Sequence, residues 1–164
     1  EMTRVYAYGS EGKETKRSLV RRIADRLRMV CDHARHDAGR VVLENGGAFS
    51  SAEDMMELVE AVDHASLAVA YDMRAATAAG DDVREALAMM GDLVHLVRVR
   101  EARSDECRAF VEAASEFAEE AWVVLEHPVL WDASLEPAEQ VLAEAAPVLT
   151  RWASGSGGGQ SAVA

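Results

Sequence analysis

The sequence has few basic residues for its size. It contains 17 Lys and Arg against 29 Asp and Glu in 164 residues, so its formal net charge at pH 7 is -12. Nucleic-acid binding depends on clustered Lys and Arg that release counterions from phosphates. The one basic stretch, residues 13–28, is interleaved with Glu14, Asp25 and apolar residues. We interpret this stretch as a solvated helix face, and we expect no nucleic-acid partner.

A long hydrophobic run is also missing. No apolar segment approaches the roughly 20 residues that cross a bilayer, and the first residues lack the pattern of a secretory signal peptide. The sequence has only two cysteines, Cys31 and Cys107, both within helical patterns. We interpret them as reduced thiols. A cytoplasmic, globular protein without a membrane partner is therefore expected.

Short β-rich runs alternate with longer helical segments along the chain. Strands are predicted at 4–8, 40–44, 67–72, 93–100 and 121–126, and helices at 14–38, 50–62, 82–90, 104–120 and 137–152. The last four strands recur every 26 to 28 residues, which is the length of one βα unit. Nearly continuous apolar strands indicate a parallel sheet that is buried on both faces. An α/β fold follows, either a doubly wound sheet or a (β/α)8 barrel.

Several residues mark where the predicted helices begin or break. Ser50 and Glu53 have the spacing of a capping box for the second helix. A loop is predicted after the third strand, and either Asp81 or Asp82 then caps the next helix. Pro147 is predicted to kink or interrupt the last helix, because proline removes a helical hydrogen bond.

Three of the five predicted strands end in a carboxylate, and Arg98 holds the equivalent position on a fourth strand. Glu44, Asp72, Arg98 and Glu126 follow one another at intervals of 28, 26 and 28 residues. The carboxyl ends of the strands of a barrel converge on one mouth, where active sites are built. Burying any of these charges without a partner would be costly, so a mutual cluster is expected, and it favours the barrel. The alternative is that these are ordinary solvated residues at the starts of loops.

Five short segments carry a family resemblance through their order and spacing. They are VLENGG at 42–47, SSAED at 50–54, LAVAYD at 67–72, GDLVH at 91–95 and VLE at 124–126. From about residue 4 to 152, the chain resembles the xylose isomerase-like TIM barrels, the sugar phosphate isomerase/epimerase superfamily. The resemblance implies that residues 1–153 form a partial (β/α)8 TIM barrel of about five parallel βα units, similar to strands four to eight. Residues 154–164 are expected to be a flexible Gly/Ser-rich tail.

The resemblance also implies a reaction and a metal. Such barrels hold a divalent ion, Mn²⁺ or Mg²⁺, with Glu, Asp, His and Glu on strands five to eight. Glu44, Asp72 and Glu126 match three of these ligands, and Glu44 and Glu126 match the catalytic pair that moves protons between adjacent carbons of a ketose. Such a pair can remove and redeliver a proton, while a metal polarises the carbonyl. The implied substrate is a small sugar, sugar phosphate or hydroxyketone.

Two positions depart from the pattern of the family. Arg98, followed by Glu101, stands where the strand-seven His is expected, and Ala75 stands where a second His would follow Asp72. Strand alternation predicts that His95 faces away and packs between strand and helix. We hypothesise that Arg98 substitutes electrostatically for the metal, so that the pocket is metal-free or binds metal weakly. Arg98 and Glu101 are the predicted substrate contacts.

Two functions therefore remain open from the sequence. Retention of the three acids favours an isomerase or epimerase. Loss of both histidines favours a non-catalytic small-molecule-binding or interaction module that has kept the barrel fold. Five strands cannot close a barrel, so we expect either a fragment of a longer protein, as the first residue Glu1 favours, or completion by another chain or by self-association.

Overall fold

One parallel sheet, with helices along it, organises the protein. The computed structural model describes residues 1–7, 9, 14–132 and 134–154. The strands are β1 Met2–Tyr6, β2 Arg40–Glu44, β3 Leu67–Asp72, β4 Val94–Val99 and β5 Trp122–Leu125. The helices are α1 Lys16–His36, α2 Ala52–Val62, α3 Met73–Ala79, α4 Val83–Met90, α5 Asp105–Phe117 and α6 Ala138–Ser154. A 3-10 turn, Gly91–Leu93, precedes β4.

The order of the strands distinguishes between the two predicted architectures. Every neighbouring pair is parallel, and the order across the sheet is β1-β2-β3-β4-β5. A doubly wound sheet reverses its strand order at a switch point. Here each crossover proceeds in the same direction, and right-handed connections then place the helices on one face. The sheet curls into a half-barrel, so the prediction of a partial TIM barrel is confirmed.

The two faces of the sheet are buried in different ways. The main core lies between the sheet and the helices, where the rings of Tyr71 and Phe110 stack with centroids 5.8 Å apart. On the opposite face, Val42, Ala68 and Ala70 form a separate buried cluster. This second cluster lies on the barrel side of the sheet, on the same face as the charged residues at the strand ends.

The local details differ from the sequence predictions at three helices. The N-cap of α2 is Ser51, and its hydroxyl pairs with Asp54, one residue later than the predicted box. The segment predicted as a loop after β3 is helix α3, because Asp72 caps it through Ala75 N–H at 2.7 Å. Helix α6 continues through Pro147 to its end, so this proline does not interrupt it.

Asp81 and Asp82 have separate roles. Asp82 is the N-cap of α4. Asp81 accepts a hydrogen bond from the Tyr71 hydroxyl at 2.5 Å and another from Ala52 N–H at 2.9 Å, so it links β3 to the start of α2. Burial is the main cause that raises the pKa of Tyr71, and the hydrogen bond to Asp81 adds to it. The phenol therefore stays protonated and acts as a donor.

The ends of the chain bear on two further predictions. The first strand spans Met2–Tyr6 instead of 4–8, and position 8 lies outside the described residues. The predicted tail also lies outside them, apart from Ser154, which ends α6. Among the residues that the structure describes, no helix combines the length and apolar character that crossing a membrane requires.

Candidate functional site

The Arg98 guanidinium group lies at the centre of the charged cluster. Its Nε donates to Asp72 Oδ2 at 2.8 Å, its Nη2 contacts Glu44 Oε1 at 2.5 Å, and its Nη1 donates to Glu126 Oε1 at 2.6 Å. The side chains of Glu44, Asp72 and Arg98 are 2%, 4% and 9% exposed, and that of Glu126 is 32% exposed. The structure therefore brings these four residues together, and they are not separate solvated side chains.

The pairing of the strands explains why the four side chains meet. Asp72 pairs directly with Arg98, whereas Glu44 pairs with Ala70, and Arg98 pairs with Val124. Asp72 and Glu126 thus lie two residues beyond the direct partners of Glu44 and Arg98. A shift of two residues keeps a side chain on the same face of the sheet, and strands of a barrel are staggered in this way.

Two further arginines extend the cluster on either side. Arg4 Nη1 lies 3.2 Å from Glu44 Oε2, and Arg100 Nη2 lies 2.9 Å from Glu126 Oε2. Neither contact has the alignment of a hydrogen bond, so both Oε2 atoms are buried without a hydrogen-bond partner in the part of the chain described. We call this group of three arginines and three carboxylates the Arg98 network; its members are Arg4, Glu44, Asp72, Arg98, Arg100 and Glu126.

Sequence reasoning missed Arg4 and Arg100, although a signal for Arg100 was present. Arg100 follows Arg98 by two residues, the spacing that places two side chains on one face of a strand. Arg4 belongs to the edge strand β1 and pairs in register with Val42, so only the three-dimensional arrangement brings it to Glu44. With both included, the formal charges of the network balance.

Burial and charge act in opposite directions on the two central residues. Burial raises the pKa of Glu44, and the guanidinium groups of Arg98 and Arg4 limit that rise. Burial disfavours the charged form of Arg98, but the carboxylates of Asp72, Glu44 and Glu126 outweigh it and hold the pKa of Arg98 above its ordinary value. Arg98 is therefore a permanent cation at the centre of the site.

Replacing Glu44 by Gln is expected to change how stability depends on pH. The folded pKa of Glu44 lies above its ordinary 4.5, so the native state binds more protons than the unfolded state between these two values. The stabilisation linked to Glu44 is therefore complete below the ordinary value and is lost as pH rises through the folded pKa. Urea denaturation should show the wild-type free energy of unfolding decreasing with pH relative to Glu44→Gln. A relative increase over the same range would contradict this assignment.

The Asn45 side chain holds the backbone of Asp72 in place. Its side chain is buried; Nδ2 donates to Ser50 O at 3.1 Å and to Asp72 O at 3.3 Å, while Oδ1 accepts from Asp72 N–H at 2.6 Å. One amide group thus joins the ends of β2 and β3 and fixes the backbone of Asp72. In the sequence, Asn45 stands out only as part of the VLENGG segment that carries the family resemblance.

Substituting Asn45 by Ala should destabilise the protein by about 2–4 kcal/mol, because it leaves buried backbone groups of Asp72 without partners. Urea denaturation measures the change. Ser50→Ala is the matched control, since the Ser50 hydroxyl donates an exposed bond to Gly47 O and makes no other bond to a described residue; it should cost less than about 1 kcal/mol. Equal losses in the two variants would show that Asn45 does not join the strands.

The remaining predicted residues lie outside the network. The Glu101 carboxylate accepts from the backbone N–H groups of Arg103 and Ser104 at 2.8 and 3.1 Å, and also from the Ser104 hydroxyl. It therefore organises the start of α5. Ala75 N–H donates to Asp72, so both oxygens of that carboxylate are engaged.

His95 lies at the opposite end of β4 from Arg98. The β3–β4 pairing shifts between Val94 and Leu96, so His95 is an extra residue in a bulge. It lines a cavity of about 410 Å³ with Phe117 and acidic residues of the α5–β5 connection. Burial, with Arg40 nearby, lowers the pKa of His95. A neutral, half-buried imidazole at this end of the strand does not reach the network.

No protein-family model matches the sequence, and no curated protein matches it. Among solved structures, the protein is similar to the crystal structure of the probable 3-DHS dehydratase AsbF, involved in petrobactin synthesis, from Bacillus anthracis. The TM-score is 0.69 at 15% sequence identity, over 91% of this chain and 63% of the AsbF chain. The protein thus spans less than two thirds of the length of AsbF. At this identity, the likeness shows a shared fold.

Proposed function

We propose that this chain is a small-molecule-binding module derived from a sugar isomerase-type barrel, in which Arg98 takes the place of a catalytic metal. The observation that carries the proposal is the contact of one guanidinium group with all three carboxylates, at 2.5 to 2.8 Å. The barrel fold and the positions of the acids are kept. The centre of the site is a cation that belongs to the protein.

A divalent metal does not fit this arrangement of donors. Mn²⁺ or Mg²⁺ would need carboxylate oxygens directed at the ion. Here one oxygen of each carboxylate is directed at Arg98 instead: Glu44 Oε1, Asp72 Oδ2 and Glu126 Oε1. A guanidinium group is protonated at any ordinary pH and repels a second cation. In addition, position 98, where the family resemblance implies a histidine ligand, carries no imidazole. Metal binding would therefore require Arg98 to leave the site.

The same contacts disfavour proton transfer by the two glutamates. A general base must reach the proton that it removes, but the Glu44 side chain is only 2% exposed and lies between Arg98 and Arg4. Arg98 cannot accept or release a proton in the pH range of the reaction. Charge balance within the network stabilises the carboxylates as acceptors from arginine.

An isomerase or epimerase activity is the second candidate, and two observations favour it. The Oε2 atoms of Glu44 and Glu126 accept no hydrogen bond within the described residues, and burial raises the pKa of Glu44. Under this candidate, the two glutamates move protons of a small ketose or hydroxyketone, while Arg98 contacts its carbonyl oxygen.

Hydrogen exchange distinguishes the two candidates. The chain is incubated in D2O with fructose, fructose 6-phosphate or dihydroxyacetone, with and without Mn²⁺, and proton NMR follows loss of the signals beside the carbonyl after metal removal. The binding module predicts the same slow exchange for the wild type and for a Glu44→Gln, Glu126→Gln double variant. Exchange that is faster in the wild type and lost in the double variant would establish the enzyme instead.

A further inference from the structure

A cavity opens beside the Arg98 network at the carboxyl end of the sheet. It lies between α3, the end of β4 and the start of α5, and its volume is about 360 Å³. Small-molecule sites have volumes of about 300–1,000 Å³, so this cavity suits a ligand of few atoms. Its lining includes Met73, Arg74, Thr77, Arg98, Arg100 and Glu106.

Two of the arginines around the cavity, Arg74 and Arg100, have N–H donors without a hydrogen-bond acceptor among the described residues. Arg98 is already bound to three carboxylates, but within the described residues Arg100 has only the ion pair with Glu126, without a hydrogen bond. Arg74 is exposed and has no hydrogen bond or ion pair with any residue in the described ranges. In a protein of net charge -12, two under-used arginines at one cavity favour an anionic ligand.

The acidic residues of the lining do not satisfy these arginines. The Glu101 carboxylate accepts from the backbone of Arg103 and Ser104, so it is directed at its own loop. Glu106 is exposed in the first turn of α5, where solvent and salt screen its charge. Neither contacts Arg74 or Arg100.

The rest of the wall is largely apolar. Met73, Ala78 and the methyl group of Thr77 belong to α3, and the aliphatic parts of the arginine side chains add apolar surface. A bare inorganic anion would leave this surface in contact with water, and a neutral polyol would leave the arginines unpaired. An anion with an apolar body satisfies both parts of the wall.

We infer that this cavity binds a small organic carboxylate, with Arg74 and Arg100 pairing with the carboxylate and the α3 surface packing against its apolar body. The inference rests on the proposed function and specifies the class of ligand that the module takes. Arg98 forms the inner wall, and its network keeps β4 and β5 in place behind the ligand.

Titration of the 164-residue chain with benzoate, followed by amide chemical shifts, tests the inference. Benzyl alcohol, a neutral analogue, and inorganic phosphate are titrated in parallel. We expect benzoate to shift the amides of Thr77 and Glu106 saturably. Benzyl alcohol should bind at least about tenfold more weakly because it lacks the charge-assisted contact, and phosphate should also bind at least about tenfold more weakly because it buries no apolar surface against α3. Equal affinity for benzyl alcohol or phosphate would overturn the inference, as would benzoate shifts confined to other parts of the protein.

Arg74→Gln supplies the decisive variant, because Arg74 lies outside the Arg98 network. It should weaken benzoate binding about tenfold without changing the folded spectrum. Arg84→Gln is the control, since Arg84 pairs with Glu116 on the surface, and it should bind benzoate as the wild type does. Unchanged affinity in Arg74→Gln would overturn the inference. Exchange of ketose protons in D2O would instead overturn the proposed function, so the two failures are read from different measurements.

Discussion

Replacing Arg98 by Met is expected to lower the free energy of unfolding by about 3–5 kcal/mol, the cost of removing one partner from a buried ion pair. The substitution leaves the carboxylates of Glu44, Asp72 and Glu126 close together with only Arg4 and Arg100 to offset them. For a domain of this length, the loss corresponds to a fall in melting temperature on the order of 10 °C. Urea denaturation at neutral pH and thermal melting measure the change.

Two companion variants make this result interpretable. Arg84→Met removes an exposed partner of Glu116, and it should cost less than about 1 kcal/mol, as surface ion pairs do. Arg98→Lys keeps the charge but loses the planar fork that reaches three acids, so its stability should fall between those of Arg98→Met and the wild type. It also provides a measurable value if Arg98→Met does not fold. Similar losses in Arg98→Met and Arg84→Met would mean that the network contributes little.

Replacing Arg98 by His is expected to create a divalent-metal site. The change removes the central cation and places an imidazole among three carboxylates, which is the donor set that the family resemblance implies. We expect Arg98→His to bind Mn²⁺ or Zn²⁺ at least about 100-fold more tightly than the wild type. A free metal concentration of 100 times the dissociation constant would raise the free energy of unfolding by about 2.7 kcal/mol. Isothermal titration calorimetry and melting with and without metal measure both effects.

The control for this experiment separates the imidazole from the loss of the arginine. Arg98→Met also removes the cation but offers no nitrogen ligand, so it should bind the metal much more weakly than Arg98→His. Adding Asp72→Asn to Arg98→His should reverse most of the gain, because one carboxylate ligand is lost. Equal metal affinity in Arg98→His and Arg98→Met would show that an imidazole at position 98 is not a metal ligand.

The sheet and the central cluster followed from local sequence patterns. The limits of β2 and β3 agree with the prediction, because each is an apolar run that ends in an acid, Glu44 or Asp72. Buried strands of a parallel sheet have this pattern. The 26-to-28-residue repeat then predicted the neighbours of each strand end, and the structure brings Arg98 and Glu126 to the same place.

Features that depend on a distant partner could not be read in this way. One difference is local: the predicted loop after β3 is helix α3, which Asp72 caps through Ala75 N–H, three residues away. The sequence does not show whether Asp72 joins the strand-end cluster or caps a helix, and it does both. Arg4 reaches Glu44 only because β1 lies beside β2. The bulge that leaves His95 without a direct partner in β3 is likewise a property of the strand pairing.

The direction of the carboxylate oxygens was the least predictable feature, although it bears most on function. The family resemblance implied a metal ligand at the position of Arg98, but the spacing of Glu44, Asp72 and Glu126 is the same whether they surround a metal or a guanidinium group. Only the contacts of Arg98 with all three acids show that it occupies the centre. For this reason, the fold alone does not indicate whether the chemistry of such barrels is retained.

Titration of the unmodified chain with Mn²⁺ tests the central claim most directly. Because Arg98 occupies the space between the carboxylates, we predict no saturable binding at micromolar concentrations and no change in melting temperature on adding the metal. Electron paramagnetic resonance reports free Mn²⁺, and calorimetry checks the result. Stoichiometric binding with a micromolar dissociation constant, abolished by Asp72→Asn, would contradict the claim that Arg98 takes the place of the metal.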